Sequence, residues 1–122
     1  MQNYKLKSIY KIMLSPRLEQ LFNFLEQAPN DSFTIYSIAY EYLSQNQLQE
    51  AISYFFKLKA LDPDYTGLYY HLGKTLEKQE KLDDAIKIYQ EGVAVALKNK
   101  DRNAHRELLN ALNQAMGLDD DF

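Results

Sequence analysis

The sequence has no cysteine and no tryptophan, and only four glycines and three prolines. Without cysteine there are no disulfides, no thiolate nucleophiles and no cysteine-based zinc patterns. The glycines are scattered, so no glycine-rich loop exists to cradle a phosphate. No apolar run approaches the roughly 20 residues that a membrane-crossing helix needs. The opening "MQNYKLKSIYKIML" carries Lys5, Lys7 and Lys11 but no continuous apolar segment, which makes it a poor secretory signal. A positive excess is missing too. The formal net charge is −3 and the pI about 5.3, so no global field holds a phosphate backbone. These absences argue against nucleic acid and membrane as partners and make a cytoplasmic location the expectation.

What is present is aromatic. Ten tyrosines and six phenylalanines stand in a chain that is 46% hydrophobic, these aromatics included, and 25% charged, ordinary for a folded domain. Aromatics fill cores, line grooves or make interfaces, so their positions decide their role.

Those positions recur. "LQEAISYFFKLKALDP" (residues 48–63) and "LDDAIKIYQEGVAVAL" (residues 82–97) begin 34 residues apart. At the same offset Tyr36 meets Tyr70, Gln45 meets Gln79, Leu48 meets Leu82, Ala51 meets Ala85 and Ile52 meets Ile86. Similar residues fill in between: Ser32 with Thr66, Ile38 with Leu72, Ala39 with Gly73, Phe55 with Tyr89. Pro29 and Pro63 share the offset. Within each period the apolar spacing is helical. Ile35, Ile38, Ala39 and Tyr42 fall at i, i+3, i+4 and i+7, as do Tyr69, Leu72, Gly73 and Leu76. The second half-period repeats this with Leu48, Ala51, Ile52 and Phe55 and again with Leu82, Ala85, Ile86 and Tyr89. Short polar links, Gln45-Asn46-Gln47 and Gln79-Glu80-Lys81, predict antiparallel helix pairs. Asp31-Ser32 and Thr66 read as helix starts, Asp83-Asp84 as first-turn charge, and Asp62-Pro63 as a helix stop.

This pattern resembles the tetratricopeptide repeat, and in particular short bacterial proteins of that superfamily. The motif is two antiparallel helices in 34 residues, with small residues at its eighth and twentieth positions, an aromatic at the twenty-fourth and a proline at the thirty-second. Residues 32–65 supply Ala39, Ala51, Phe55 and Pro63 there; residues 66–99 supply Gly73, Ala85 and Tyr89, with Gly92 at the twenty-seventh. Leu97 stands where the second proline belongs, so that helix is expected to run past Lys98. Ile35 and Tyr69 replace the tryptophan of the fourth position. Physically, Ala39 with Ala51 and Gly73 with Ala85 are flat spots where two helices approach closely.

The flanks extend the array. Residues 16–29, with Leu18, Leu21, Phe22 and Leu25 on one stripe, predict a helix placed like the second helix of a preceding repeat. Residues 101–117 predict a capping helix with Ala104, Leu108, Ala111, Leu112 and Ala115 inward, Arg102, Arg106, Asn110, Asn113 and Gln114 outward, and Gly117 at its end. The reading is therefore all-α: an α-α superhelix, a right-handed solenoid of about six helices in one domain spanning residues 15–117. Residues 1–14 are expected to be a flexible extension, with Met13 an alternative start, and residues 118–122 an acidic tail.

Chemistry finds no purchase. His71 and His105 share no metal-ligand spacing with each other or with a carboxylate pair. Asp83-Asp84 suits a helix start and Asp119–Asp121 a solvated tail. Nothing assembles a nucleophile, a base and an orienting group, so the expectation is a non-enzyme without cofactor, metal or small-molecule substrate.

Binding is what the resemblance implies. Its first helices line a concave groove, whose candidate residues here are Phe33, Tyr36, Tyr40 and Leu43 on one repeat. Tyr70, His71, Lys74, Glu77 and Lys78 supply the other. An aromatic half followed by Lys74 and Lys78 one turn apart suits a peptide with an apolar anchor and an acidic residue. The family's carboxylate-clamping mode is disfavoured, because Tyr36, Tyr40 and His71 hold three of its polar positions. Two other readings stand beside it. Tyr36 and Tyr40 equally suit packing beneath the N-terminal helix. Tyr54 and Phe56 are candidates for a homodimer contact on the convex side, and the terminal helix surfaces are the other route to self-assembly.

Overall fold

The computed structural model describes residues 14–118, which contain six α-helices and no strand. They are α1 (Pro16–Gln27), α2 (Ser32–Ser44), α3 (Leu48–Leu61), α4 (Gly67–Lys78), α5 (Leu82–Lys98) and α6 (Arg102–Ala115). The expectations for residues 1–13 and 119–122 lie outside the described residues.

Three helix starts carry a side-chain cap. Ser15 accepts the Leu18 N–H at 3.2 Å and Pro16 follows at the first helical position, where its missing N–H costs nothing. Asp31 accepts the Thr34 N–H at 2.9 Å and Asp101 that of Ala104 at 3.1 Å. Asp83 and Asp84 lie in the first turn of α5, where the helix dipole favours negative charge. Thr66 differs from the sequence expectation. It precedes α4 but makes no capping bond; instead its hydroxyl accepts from the Asn99 side chain at 2.9 Å.

Four helix ends are built alike. Asn46, Glu80, Lys100 and Gly117 have φ of 59°, 60°, 57° and 72°, the left-handed region. In each case the next residue's N–H reaches back five positions: Gln47 to the Tyr42 carbonyl, Lys81 to Leu76, Asp101 to Ala96 and Leu118 to Asn113, at 2.7–3.0 Å. These are Schellman closures, which satisfy carbonyls that a helix end leaves open. The sequence signals one of them, Gly117; the other three are made by residues that enter this region at a cost. The closure at Lys100 also ends α5 at Lys98 rather than beyond it. Even so, α5 has 17 residues against 14 in α3. The ends of α1 and α3 differ from these, because the residues before Pro29 and Pro63 are pushed out of helical geometry: Ala28 has φ −137° and Asp62 φ −144°.

The helices stack as an all-α solenoid. α2 packs on α3 and α4 on α5; α1 leans on α2, and α6 lies against α5 and α4. The first helices also touch one another, α2 with α4 and α4 with α6, forming one face of the stack. A single core runs through it, including Leu18 of α1, Ile35 and Ile38 of α2, Phe55 and Leu58 of α3, Leu72 of α4, Tyr89 of α5 and Leu108 of α6. Burying a side chain such as Phe55 contributes about 1.5–3 kcal/mol.

Of the repeat-packing residues, Ala39, Ala51, Phe55, Ala85 and Tyr89 are fully buried, as are Gly73 and Gly92, while Pro63 is exposed in the loop after α3. The Pro63 carbonyl accepts the Tyr69 hydroxyl at 2.5 Å. A Cβ on Gly73 would overlap the Tyr89 ring, and one on Gly92 would lie 2.6 Å from Tyr69 Cβ. Polar ties outside the core close the first repeat on itself and join it to the next. Ser32 Oγ donates to Asp62 at 2.6 Å, Lys98 pairs with Asp64 at 3.0 Å, and Asn99 donates to the Asp64 carbonyl at 2.9 Å.

Candidate functional site

Along the face formed by α2, α4 and α6, aromatic rings gather around His71. Its imidazole lies 5.2 Å from the Tyr40 ring, 5.6 Å from Tyr70, 6.0 Å from Tyr36 and 6.4 Å from Phe55, centroid to centroid. Tyr36 also stacks on Tyr40 at 6.2 Å, one turn away, and meets Tyr65 at 5.3 Å. Such edge and offset contacts fix ring orientation beyond what area burial alone provides. Burial pushes the His71 pKa below the usual histidine value, with the Glu107 carboxylate partly opposing it. Burial likewise raises the Tyr36 phenol, aided by Tyr65 and Tyr40. Both groups are held neutral near pH 7.

The aromatic cluster leads into a cleft of about 270 Å³ between α4 and α6, lined by Tyr70, Lys74, Glu107, Asn110, Ala111 and Gln114. The Lys74 ammonium sits 5.7 Å from the Tyr70 ring centroid and 3.9 Å from Glu77. The second carboxylate is already engaged: Glu77 accepts the hydroxyl of Tyr89, whose phenol is pushed far up by burial and by that bond. The cleft therefore offers a cation on an aromatic shelf, two side-chain amides and one carboxylate. Among the described residues no group of histidines and carboxylates could hold a metal ion.

The groove candidates from the sequence are thus placed unequally. Tyr36, Tyr40, Tyr70 and His71 are in mutual contact, and Lys74 adjoins them. Leu43 is a partly buried margin of the core, and Glu77 is bound to Tyr89. Phe33, 66% exposed, and Lys78, also exposed, flank the cluster on their helices. α1 does not cover Tyr36 and Tyr40: its Phe22 packs instead on Tyr42 and Tyr54, at 6.4 and 5.8 Å.

Three lining residues were missed from sequence. Periodicity alone places Asn110 and Gln114 on the solvated outer face of α6 and gives Glu107 no role, yet all three line the cleft. The signal was available: α6 falls where the first helix of a third repeat belongs, and Glu107, Asn110 and Gln114 recur at i, i+3 and i+7.

On the opposite layer, Tyr54 and Phe56 do not form one patch. Two residues apart on a helix is about 200° of rotation. Tyr54 is half-buried, stacked on Tyr42 at 5.8 Å, whereas Phe56 is 42% exposed.

Paired helices with small-residue seams, stacked so that their first helices share an aromatic face, define a class: the tetratricopeptide-repeat interaction module. A tetratricopeptide repeat domain protein of Salinibacter ruber is 40% identical with a TM-score of 0.69, over 73% of this chain and all of that one. A protein of Bordetella parapertussis shares the fold at 23% identity, TM-score 0.74, over 85% of this chain and 90% of its own. The family model described as Regulator of microtubule dynamics protein 1-3 matches residues 32–117, and the chain belongs to that family. The TPR repeat-containing protein YpiA of Bacillus subtilis (strain 168) is 34% identical over 71 residues, 58% of this chain. The chain spans only 17% of YpiA's length.

Proposed function

We propose that this chain is a non-enzymatic, cytoplasmic interaction module that binds a peptide segment of another protein across α2, α4 and α6. The carrying observation is the junction of two surfaces: the Tyr36–Tyr40–Tyr70–His71 cluster opens directly onto the Lys74 cleft. An apolar or aromatic anchor of the ligand lies on the rings. An acidic residue one turn or two extended residues away meets Lys74, and Asn110 and Gln114 take up backbone or polar groups. Neutral His71 and Tyr36 keep the anchor end free of charge, which suits an apolar residue. Peptide-display selection on the folded protein tests this directly, since enriched sequences must combine such an anchor with a carboxylate.

Self-association through Phe56 is the second reading, favoured by its exposure on α3. Light scattering over a concentration series, with Phe56→Ser alongside, separates it from groove binding. A mass that doubles in the parent and not in the variant supports it.

A further inference from the structure

The binding mode above uses the rings, Lys74, Asn110 and Gln114 and leaves one charge on the cleft wall without a task. Glu107 lines the cleft from α6, across from Tyr70 and Lys74 of α4. It makes no ion pair with Lys74, and among the described residues its carboxylate has no hydrogen-bond or ion-pair partner. Its sequence neighbour Arg106 does not neutralise it, because that guanidinium is tied to the Asn103 side chain at 3.1 Å. Lys74 leans along its own helix, over the Tyr70 ring and toward Glu77. His71 feels the Glu107 carboxylate but is held neutral by burial, so it supplies no counter-charge. The cleft thus has a cation on one wall and an unanswered anion on the other.

Spacing decides how a ligand meets both. Tyr70 and Lys74 are one turn apart on α4, about 6 Å along the axis. In an extended peptide, residues two apart project to the same side about 6.7 Å from one another, and the residue between them projects to the other side. An anchor on the Tyr70 ring and a carboxylate at Lys74 therefore turn the intervening side chain toward α6. Glu107 sits at the ring end of that wall, within electrostatic reach of His71. A ligand carboxylate aimed there is repelled, and an apolar side chain leaves the anion unpaired as water is excluded. A lysine or arginine is attracted.

Resting on the groove-binding reading, we propose that Glu107 selects a basic ligand residue placed between the apolar anchor and the acid, so that the recognised segment reads apolar, basic, acidic. Lys74 and Glu107 then take unlike charges from adjacent ligand residues, on opposite walls. Glu107 sets specificity more than affinity, because it is exposed and an exposed ion pair adds little net binding.

Parallel display selections from one random peptide library, on the parent, Glu107→Gln and Glu107→Lys, test this. Both substitutions fall at an exposed position, and circular dichroism checks the fold. The parent is expected to enrich lysine or arginine between anchor and acid. Glu107→Gln should lose that preference and Glu107→Lys should replace it with aspartate or glutamate, with anchor and acid kept in all three. A synthetic peptide from the parent selection should bind Glu107→Lys about tenfold more weakly than the parent. If the same middle residues emerge from all three proteins beside a retained anchor and acid, Glu107 selects nothing and only the groove reading stands. If no selection yields an anchor with an acid, the groove reading fails and the Glu107 assignment falls with it.

Discussion

The Tyr89 ring of α5 lies directly over Gly73 of α4, where even a methyl group would overlap it, and the Tyr89 hydroxyl donates to Glu77 one turn further along α4. One aromatic thus bridges a flat spot and a carboxylate on the facing helix. In the preceding repeat the same positions are Ala39 and Phe55, which lacks a hydroxyl.

Gly73 is therefore a packing requirement and not a flexibility device. Gly73→Leu should lose about 1–3 kcal/mol or more of stability, because the ring is hemmed in by a closed core. Urea unfolding followed by circular dichroism measures it. Unchanged stability would place the pair in a different register.

Removing only the hydroxyl is the complementary test. Tyr89→Phe keeps the ring over Gly73 and should cost about 0.5–1.5 kcal/mol, the usual net worth of one such bond, or somewhat more for a charged acceptor. Glu77 loses its donor, so the double variant Tyr89→Phe/Glu77→Gln should cost less than the sum of the single changes.

Much of this arrangement is legible in the sequence, because a 34-residue period with Ala39, Gly73, Ala51, Ala85, Phe55 and Tyr89 in phase has few physical solutions. Legibility fails where the phase shifts. The longer α5 breaks the offset after Leu97, so Asn110 and Gln114 read as the outer face of a cap although they line the cleft. The Schellman closures at Glu80 and Lys100 were equally hidden, since neither residue type announces a positive φ.

Those two closures offer a stability gain. Glu80→Gly and Lys100→Gly relieve a left-handed backbone at φ 60° and 57°. Each should stabilise by about 0.5–1 kcal/mol, less than the full strain because glycine also loosens the unfolded chain. Melting temperature reports it, and Asn46→Gly should gain less, since asparagine already tolerates this region.

His71 gives the protein a pH dependence of definite sign. Its folded pKa lies below the unfolded value of 6.5, chiefly through burial. The unfolded chain thus binds the proton first, and stability from the neutral imidazole, full above pH 6.5, is lost as pH falls through that value towards the folded one. His71→Phe should flatten stability between pH 7.5 and 5 relative to the parent. An unchanged slope would show that His71 is not the group responsible.

The most direct measurement is the affinity of a display-selected peptide for the parent and for Tyr40→Ser/Lys74→Glu, with unfolding curves on both. Tyr40 and Lys74 are chosen because Tyr40 is 47% exposed and Lys74 only partly covered, so both can change without opening the core. Groove binding predicts enriched peptides with an apolar anchor and a carboxylate, and at least a tenfold loss of affinity in a variant that unfolds like the parent. Enrichment of no such peptide, or equal affinity for both proteins, would contradict it.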